Sequence, residues 1–160
     1  MVDTVASDTD YQFPDPVGLT SVSSGYLEGC NEGVVIPSGL DEALERAATE
    51  QGVDPRVLST TIWRESGCRR DALGSSGEIG LTQVHPRVWT STLIREGIIK
   101  RESDLWRVGP NLQAGAFVLA YCQNRHGDLR TTFRCYNGSG PMAERYAASQ
   151  IEAYRSAWGS

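Results

Sequence analysis

From Ser38 onward, apolar and polar residues alternate with a helical period. Leu40, Ala43, Leu44, Ala47 and Ala48 share one face, and Gly52 stops the run. Asp54-Pro55 restarts it, with a carboxylate at the N-cap and a proline at the first helical position. The second run carries Leu58, Ile62 and Glu65 at steps of four and three, so a carboxylate closes an apolar stripe. Ser66-Gly67 ends that helix. Residues 66–83 hold Gly67, Gly74, Gly77 and Gly80 and read as a shaped loop, the one place with a hint of strand alternation. Pro86 opens a helix that reaches Glu96. After Gly109-Pro110 a strongly apolar helix carries Leu112, Ala114, Ala116, Phe117, Leu119 and Ala120 and ends near Arg125. Asp128 caps a short helix into Tyr136, and NGSGP breaks it. The last helix runs from about Pro141 to Trp158, with Tyr146, Ala147, Ile151, Tyr154 and Trp158 on one side. There is no internal repeat, and the expected fold is mostly α.

Residues 1–36 follow no such period. Pro14, Pro16, Gly18, Gly25, Gly29 and Gly33, with scattered Ser and Thr, describe a loop-rich arm ahead of a domain at 37–160. Charge sharpens this division. The first 38 residues hold six acids and no Lys or Arg, so the formal charge of -5 comes from the arm and the remainder is nearly neutral. No basic field stands out, which argues against nucleic acid as a partner. At 160 residues and 39% hydrophobic, the chain suits one domain with a real core. No apolar run approaches the ~18 residues of a membrane-spanning helix. The start, MVDTVASDTD, lacks the basic and apolar parts of a signal peptide, so the sequence predicts either trimming ahead of Met1 or export by another route.

Four cysteines, Cys30, Cys68, Cys122 and Cys135, form no CxxC pair and stand beside only two histidines, which speaks against zinc. An even count in a small chain predicts two disulfides and an oxidising compartment, against the alternative of four buried thiols. Cys122–Cys135 would staple two helices across a short turn, and Cys30–Cys68 would tie the arm to the core. Cys68–Cys135 stays open.

Glu65 is the candidate for chemistry. A glutamate at a helix end is ordinarily a solvated surface group. This one continues an apolar stripe into a Gly-rich loop, where backbone comes close. Apolar surroundings disfavour the carboxylate and raise the pKa, which makes a group able to give a proton to a leaving oxygen.

The segment ESGCRRDALGSSGEIGLTQVHP (65–86) resembles the ES…GxxGLxQxxP signature of SLT-type lytic transglycosylases, relatives of goose-type lysozyme. VDPRVLSTTIWRES is similar to their helix leading to the catalytic acid, NLQAGAFVLAYC (111–122) to their N…G…L helix, and CYNGSGP (135–141) to their YN-G motif. The resemblance covers roughly residues 39–158. It implies a lysozyme-like single helical domain with a Gly-rich active-site loop, and no metal or cofactor. Residue by residue it implies Glu65 as general acid/base and Gln83 as a polar group lining the sugar groove. Tyr136 would orient the acid or the sugar, and Asn137 would support the site. Ser66 would cap local backbone, while Gly77, Gly80 and Leu81 shape the loop beneath the substrate. The plain readings are a core aromatic for Tyr136 and a turn residue for Asn137.

The chain also departs from the family. Gly74 stands where many members have a serine, with Ser75 or Ser76 as replacements. Glu78 stands where alanine is usual, Thr82 where methionine is familiar, and His85 lies near the groove as a substrate contact or a packing residue.

The resemblance implies that one glutamate protonates the glycosidic oxygen and then takes a proton from the C6 hydroxyl of N-acetylmuramic acid, closing a 1,6-anhydro ring. Glu78, facing the cleft, would instead hold a water and make the protein a lysozyme. Turned outward, it would pair with Arg69, Arg70 or another base. Asp71 is a weaker candidate for the second carboxylate. A reading from another class is a non-catalytic scaffold that binds peptidoglycan or assembly proteins. The expected partner is the peptidoglycan glycan strand, at a periplasmic or extracellular site, for a monomer. The arm would pack along the domain or dock on a secretion apparatus or phage particle.

Overall fold

The computed structural model describes residues 25–138 and 140–159. Among these residues six α-helices follow in order: α1 (Leu40–Gln51), α2 (Pro55–Ser66), α3 (Pro86–Arg95), α4 (Val108–His126), α5 (Leu129–Asn137) and α6 (Pro141–Trp158). A 3-10 turn, Glu102–Trp106, precedes α4. Among the described residues there is no strand, only isolated antiparallel bridges within the Gly-rich loop, Leu73 to Ile79 and Ile79 to Val84. The fold is mostly helical, as the sequence predicts.

Local chemistry sets most boundaries. The Asp54 side chain accepts from the Arg56 N–H at the start of α2, with Pro55 in the first turn. The Asp128 side chain accepts from the Thr131 N–H at the start of α5. Two starts differ from expectation. α1 begins at Leu40 rather than Ser38, behind Gly39 in the left-handed region. α4 begins at Val108, ahead of Gly109-Pro110 rather than after it. Pro110 sits within the first turn, where no backbone N–H is needed for the helical ladder, so it does not interrupt the helix.

α4 occupies the centre and packs against α1, α5, α2 and the 3-10 turn. Leu112, Ala114, Ala116, Val118 and Leu119 are all buried along it. The main core gathers Leu40, Leu44, Leu58, Ile62, Leu112, Leu119, Phe133 and Ile151. A smaller core under the Gly-rich loop holds Ile79, Val84, Leu93, Ile99 and Leu105. Cys122–Cys135 joins α4 to α5, and Cys30–Cys68 joins the arm to the residue two beyond α2. Both are the favoured pairings.

The described part of the arm lies against the domain. Tyr26, Leu27, Cys30 and Val34 pack on the main core. The Trp63 indole N–H donates to the Tyr26 carbonyl at 2.8 Å, and Trp63 stacks on Trp158 from the end of α6. Residues 1–24, which carry Pro14, Pro16 and Gly18, lie outside the described residues.

Candidate active site

α2 delivers Glu65 in its last turn, one residue before Ser66. The Ser66 hydroxyl donates to the Leu81 carbonyl at 2.7 Å and accepts from the Cys68 N–H at 3.1 Å, so the helix end and the Gly-rich loop are tied together. Cys68 and Gln83 adopt positive φ without being glycine, at 75° and 54°. Such backbone persists where its surroundings hold it. At Cys68 the holders are the disulfide and Ser66. At Gln83 they are three carbonyls, of Ala72, Glu78 and Gly80, which accept from its side-chain amide at 3.2 to 3.3 Å.

The loop is fixed to α4 by Asn111. Its carboxamide oxygen accepts from the N–H and hydroxyl of Thr82, and its amide donates to the carbonyls of Ile79 and Leu105, all between 2.7 and 2.9 Å. Every hydrogen-bonding direction of this buried side chain is used well. Gly80 and Gly115 allow the approach. A Cβ on Gly80, whose φ is +78°, would meet the Asn111 amide at 2.5 Å, and one on Gly115 would meet the Thr82 side chain at 2.4 Å. Thr82, in place of the familiar methionine, thus contributes a hydroxyl to this knot.

Glu65 is half-buried, and the Tyr146 hydroxyl from α6 donates to its Oε2. Burial is the largest influence on its titration and pushes the pKa up to about 7. The Tyr146 bond pulls it down, the Glu78 charge raises it and the Arg64 charge lowers it. Burial also holds the phenols of Tyr136 and Tyr146 far above their ordinary range, so both remain donors.

One pocket gathers Glu65, Glu78, Gln83, His85, Trp89, Tyr136 and Asn137. Glu78 faces this pocket and is not paired with Arg69, which meets Asp71 instead at 3.5 Å. The Ser76 N–H holds the Glu78 carboxylate at 3.0 Å. A Cβ on Gly74 would lie 2.2 Å from the same carboxylate. The two departures from the family pattern are therefore one: the Glu78 side chain occupies the space that a residue-74 side chain would need. His85 lines the pocket with a buried Nδ1 that no protein group meets.

The structure adds detail to three sequence expectations. Tyr136 stands in the pocket, but its hydroxyl donates to the Thr82 carbonyl at 2.7 Å, and the phenol on the acid is that of Tyr146. Leu81, expected to shape the loop beneath the substrate, is 1% exposed in the main core, where it braces the loop. Ser75 and Ser76 are exposed and line neither this pocket nor the groove beyond it. Tyr146 is the residue missed. Its helical face reads as core, and its partner lies 81 residues away, where no local pattern reaches.

Beyond Glu65 the pocket opens into a groove along Trp63, Arg64, Arg69, Asp71 and Leu73, with Asn31 of the arm on the far side. Among the described residues no group of three or more His, Cys, Asp or Glu side chains converges as metal ligands would. An all-helical domain that sets one proton-holding glutamate at a helix end beside an open groove belongs to the lysozyme-like class. A family model, the Transglycosylase SLT domain, matches residues 42–157, and the chain belongs to that family. This membership supports lytic transglycosylase-type action on peptidoglycan in general.

Proposed function

We propose that the protein is a peptidoglycan lytic transglycosylase with Glu65 as its sole general acid/base. The observation that carries this reading is the Glu65 carboxyl itself: half-buried, bonded by Tyr146, open to the groove and raised to about 7. A carboxyl with that pKa is protonated in a large fraction of molecules near neutrality and becomes a competent base once it has given its proton away. In the first step the bond from C1 of N-acetylmuramic acid to O4 of N-acetylglucosamine breaks, and O4 takes the Glu65 proton. In the second, the muramic acid O6 attacks C1 and its proton returns to Glu65. The product is a 1,6-anhydro ring, no water is consumed, and the enzyme ends in its starting state. Gln83, Tyr136 and Asn137 line the pocket in which this occurs, with Tyr146 orienting the acid.

A second reading has an observation of its own. Glu78 faces the same pocket as Glu65, whose free volume of about 70 Å³ has room for a water. A water activated by Glu78 would make the reaction a hydrolysis. Mass spectrometry of soluble products from purified peptidoglycan, wild type beside Glu65→Gln, separates the readings. Anhydro-muropeptides from the wild type alone are the expected result. Reducing-end muropeptides, heavier by one water, would transfer the assignment to hydrolysis with Glu78. Release by both proteins would remove Glu65 from the chemistry.

Action on peptidoglycan calls for a site outside the cytoplasm, in the periplasm or extracellular space. Two disulfides suit an oxidising compartment. No described helix is long and apolar enough to cross a membrane.

A further inference from the structure

Gly74 and Glu78, the two linked departures from the family pattern, leave two oxygens facing one space. A Cβ on Gly74 would lie 2.2 Å from Glu78 Oε1 and 2.5 Å from Gln83 Oε1, so both oxygens converge over the same stretch of backbone. The orientation of Gln83 is set by its other end. Its amide nitrogen donates to the carbonyls of Ala72, Glu78 and Gly80, and a turned carboxamide would press its oxygen against all three. The oxygen is therefore held on the Glu78 side. Among the described residues the Ser76 N–H is the donor that meets the Glu78 carboxylate, and none donates to Gln83 Oε1. Two acceptors aimed at one place repel until a donor joins them.

The surrounding charges favour a positive donor. The pocket that Glu78 and Gln83 line has no Arg or Lys in its walls. Arg64 is bonded to Ser149 and Gln150 of α6, and Arg69 meets Asp71. His85 lines the same pocket, but its buried Nδ1 meets neither oxygen. The free volume of about 70 Å³ suits a small group. An amino sugar offers such a group in one form, the free 2-ammonium. Its three N–H donors can bridge a carboxylate and a carbonyl, and its single charge balances the single charge of Glu78. Acetylation leaves one N–H, removes the charge and adds an acetyl group to be housed. We propose that Glu78 and Gln83 make this pocket selective for glycan whose amino sugar is N-deacetylated, with the ammonium bridging Glu78 Oε1 and Gln83 Oε1 from the pocket side. The bonds that change in the proposed reaction lie at C1, O4 and O6, so the amine is a recognition group and takes no part in the chemistry.

This inference rests on the pocket accepting amino-sugar glycan, and it is tested by binding so that it can fail separately from the proposed reaction. The probes are a glucosamine tetramer and an N-acetylglucosamine tetramer, titrated calorimetrically into the Glu65→Gln protein. A pH of about 6 keeps the sugar amine protonated, and about 0.15 M salt screens attraction to the acidic surface of the protein. The glucosamine tetramer is expected to bind about tenfold more tightly. Glu78→Gln on the same background keeps the size of the side chain and removes its charge. It should cancel the tenfold preference by weakening the glucosamine tetramer alone, and the retained affinity for the N-acetylated tetramer would report a folded protein. Equal affinity for the two probes, tighter binding of the N-acetylated one, binding of neither, or a preference that survives Glu78→Gln would overturn the proposal. Product analysis of the wild type decides the reaction on its own: anhydro products without a preference for the amine would leave the reaction standing and remove this selectivity.

Discussion

Glu65 keeps its proton because the folded chain buries its carboxyl away from water, and stability is lost wherever the unfolded chain would ionise instead. Below about pH 4.5 both states are protonated and nothing is lost. As pH rises towards 7 the unfolded state gains its charge while the folded state resists. The full penalty above pH 7 is about 3 kcal/mol. Glu65→Gln should therefore gain up to about 3 kcal/mol over wild type at pH 8 and nothing at pH 4, as urea denaturation at the two pH values would record. On the proposed mechanism the same carboxyl is protonated at the start of each turnover, so activity should fall as pH rises through about 7. Glu78→Gln removes a charge that helps hold the proton, and the alkaline limb of the pH–rate profile should move to lower pH. A limb that stays in place would remove Glu78 from the electrostatics. Glu65 was legible in the sequence because its position on the Leu58–Ile62 stripe is a property of one helix. Tyr146 was not, since a tyrosine on a buried helical face looks the same whether its hydroxyl meets water, a carbonyl or the acid.

Among elements, the Gly-rich loop depends on α4 more than on itself. Two isolated bridges are its only sheet-like pairing, and the four bonds of Asn111 supply what a sheet would otherwise provide. Asn111→Ala removes the side-chain partners of the Leu105 carbonyl and the Thr82 N–H in a buried place, while the Ile79 carbonyl keeps the Val84 N–H, and should cost about 3 kcal/mol in a thermal or chemical melt. Activity should drop further than the folded fraction, because the loop carries Glu78 and Gln83. The element boundaries that sequence reading located were those with local causes, such as the Asp54 and Asp128 caps. The start of α4 escaped because Pro110 reads as punctuation, and only the helix around it shows that it occupies the first turn. The 3-10 turn at Glu102–Trp106 escaped as well. Its Asp104 carboxylate accepts from the N–H groups of Lys100 and Arg101, a tie that composition does not signal.

For the molecule as a whole, the two disulfides close spans of 38 and 13 residues. Loop-closure entropy assigns them about 4 and about 3 kcal/mol. Full reduction should lower the melting temperature by about 15 °C or more, measured by circular dichroism with and without reductant. A smaller shift confined to the arm would mean that helix packing alone carries the domain.

The docking of α6 over Glu65, marked by the bond from Tyr146, has a consequence in time. That bond spans most of the catalytic domain, from the end of the second helix to the last one. The acid emerges early in synthesis and its partner late, so a chain whose C-terminal helix has not docked carries a glutamate that water still reaches and that gives up its proton like any other. On the proposed mechanism, the ability to cut arrives at the end of folding rather than with the residue that would do the cutting.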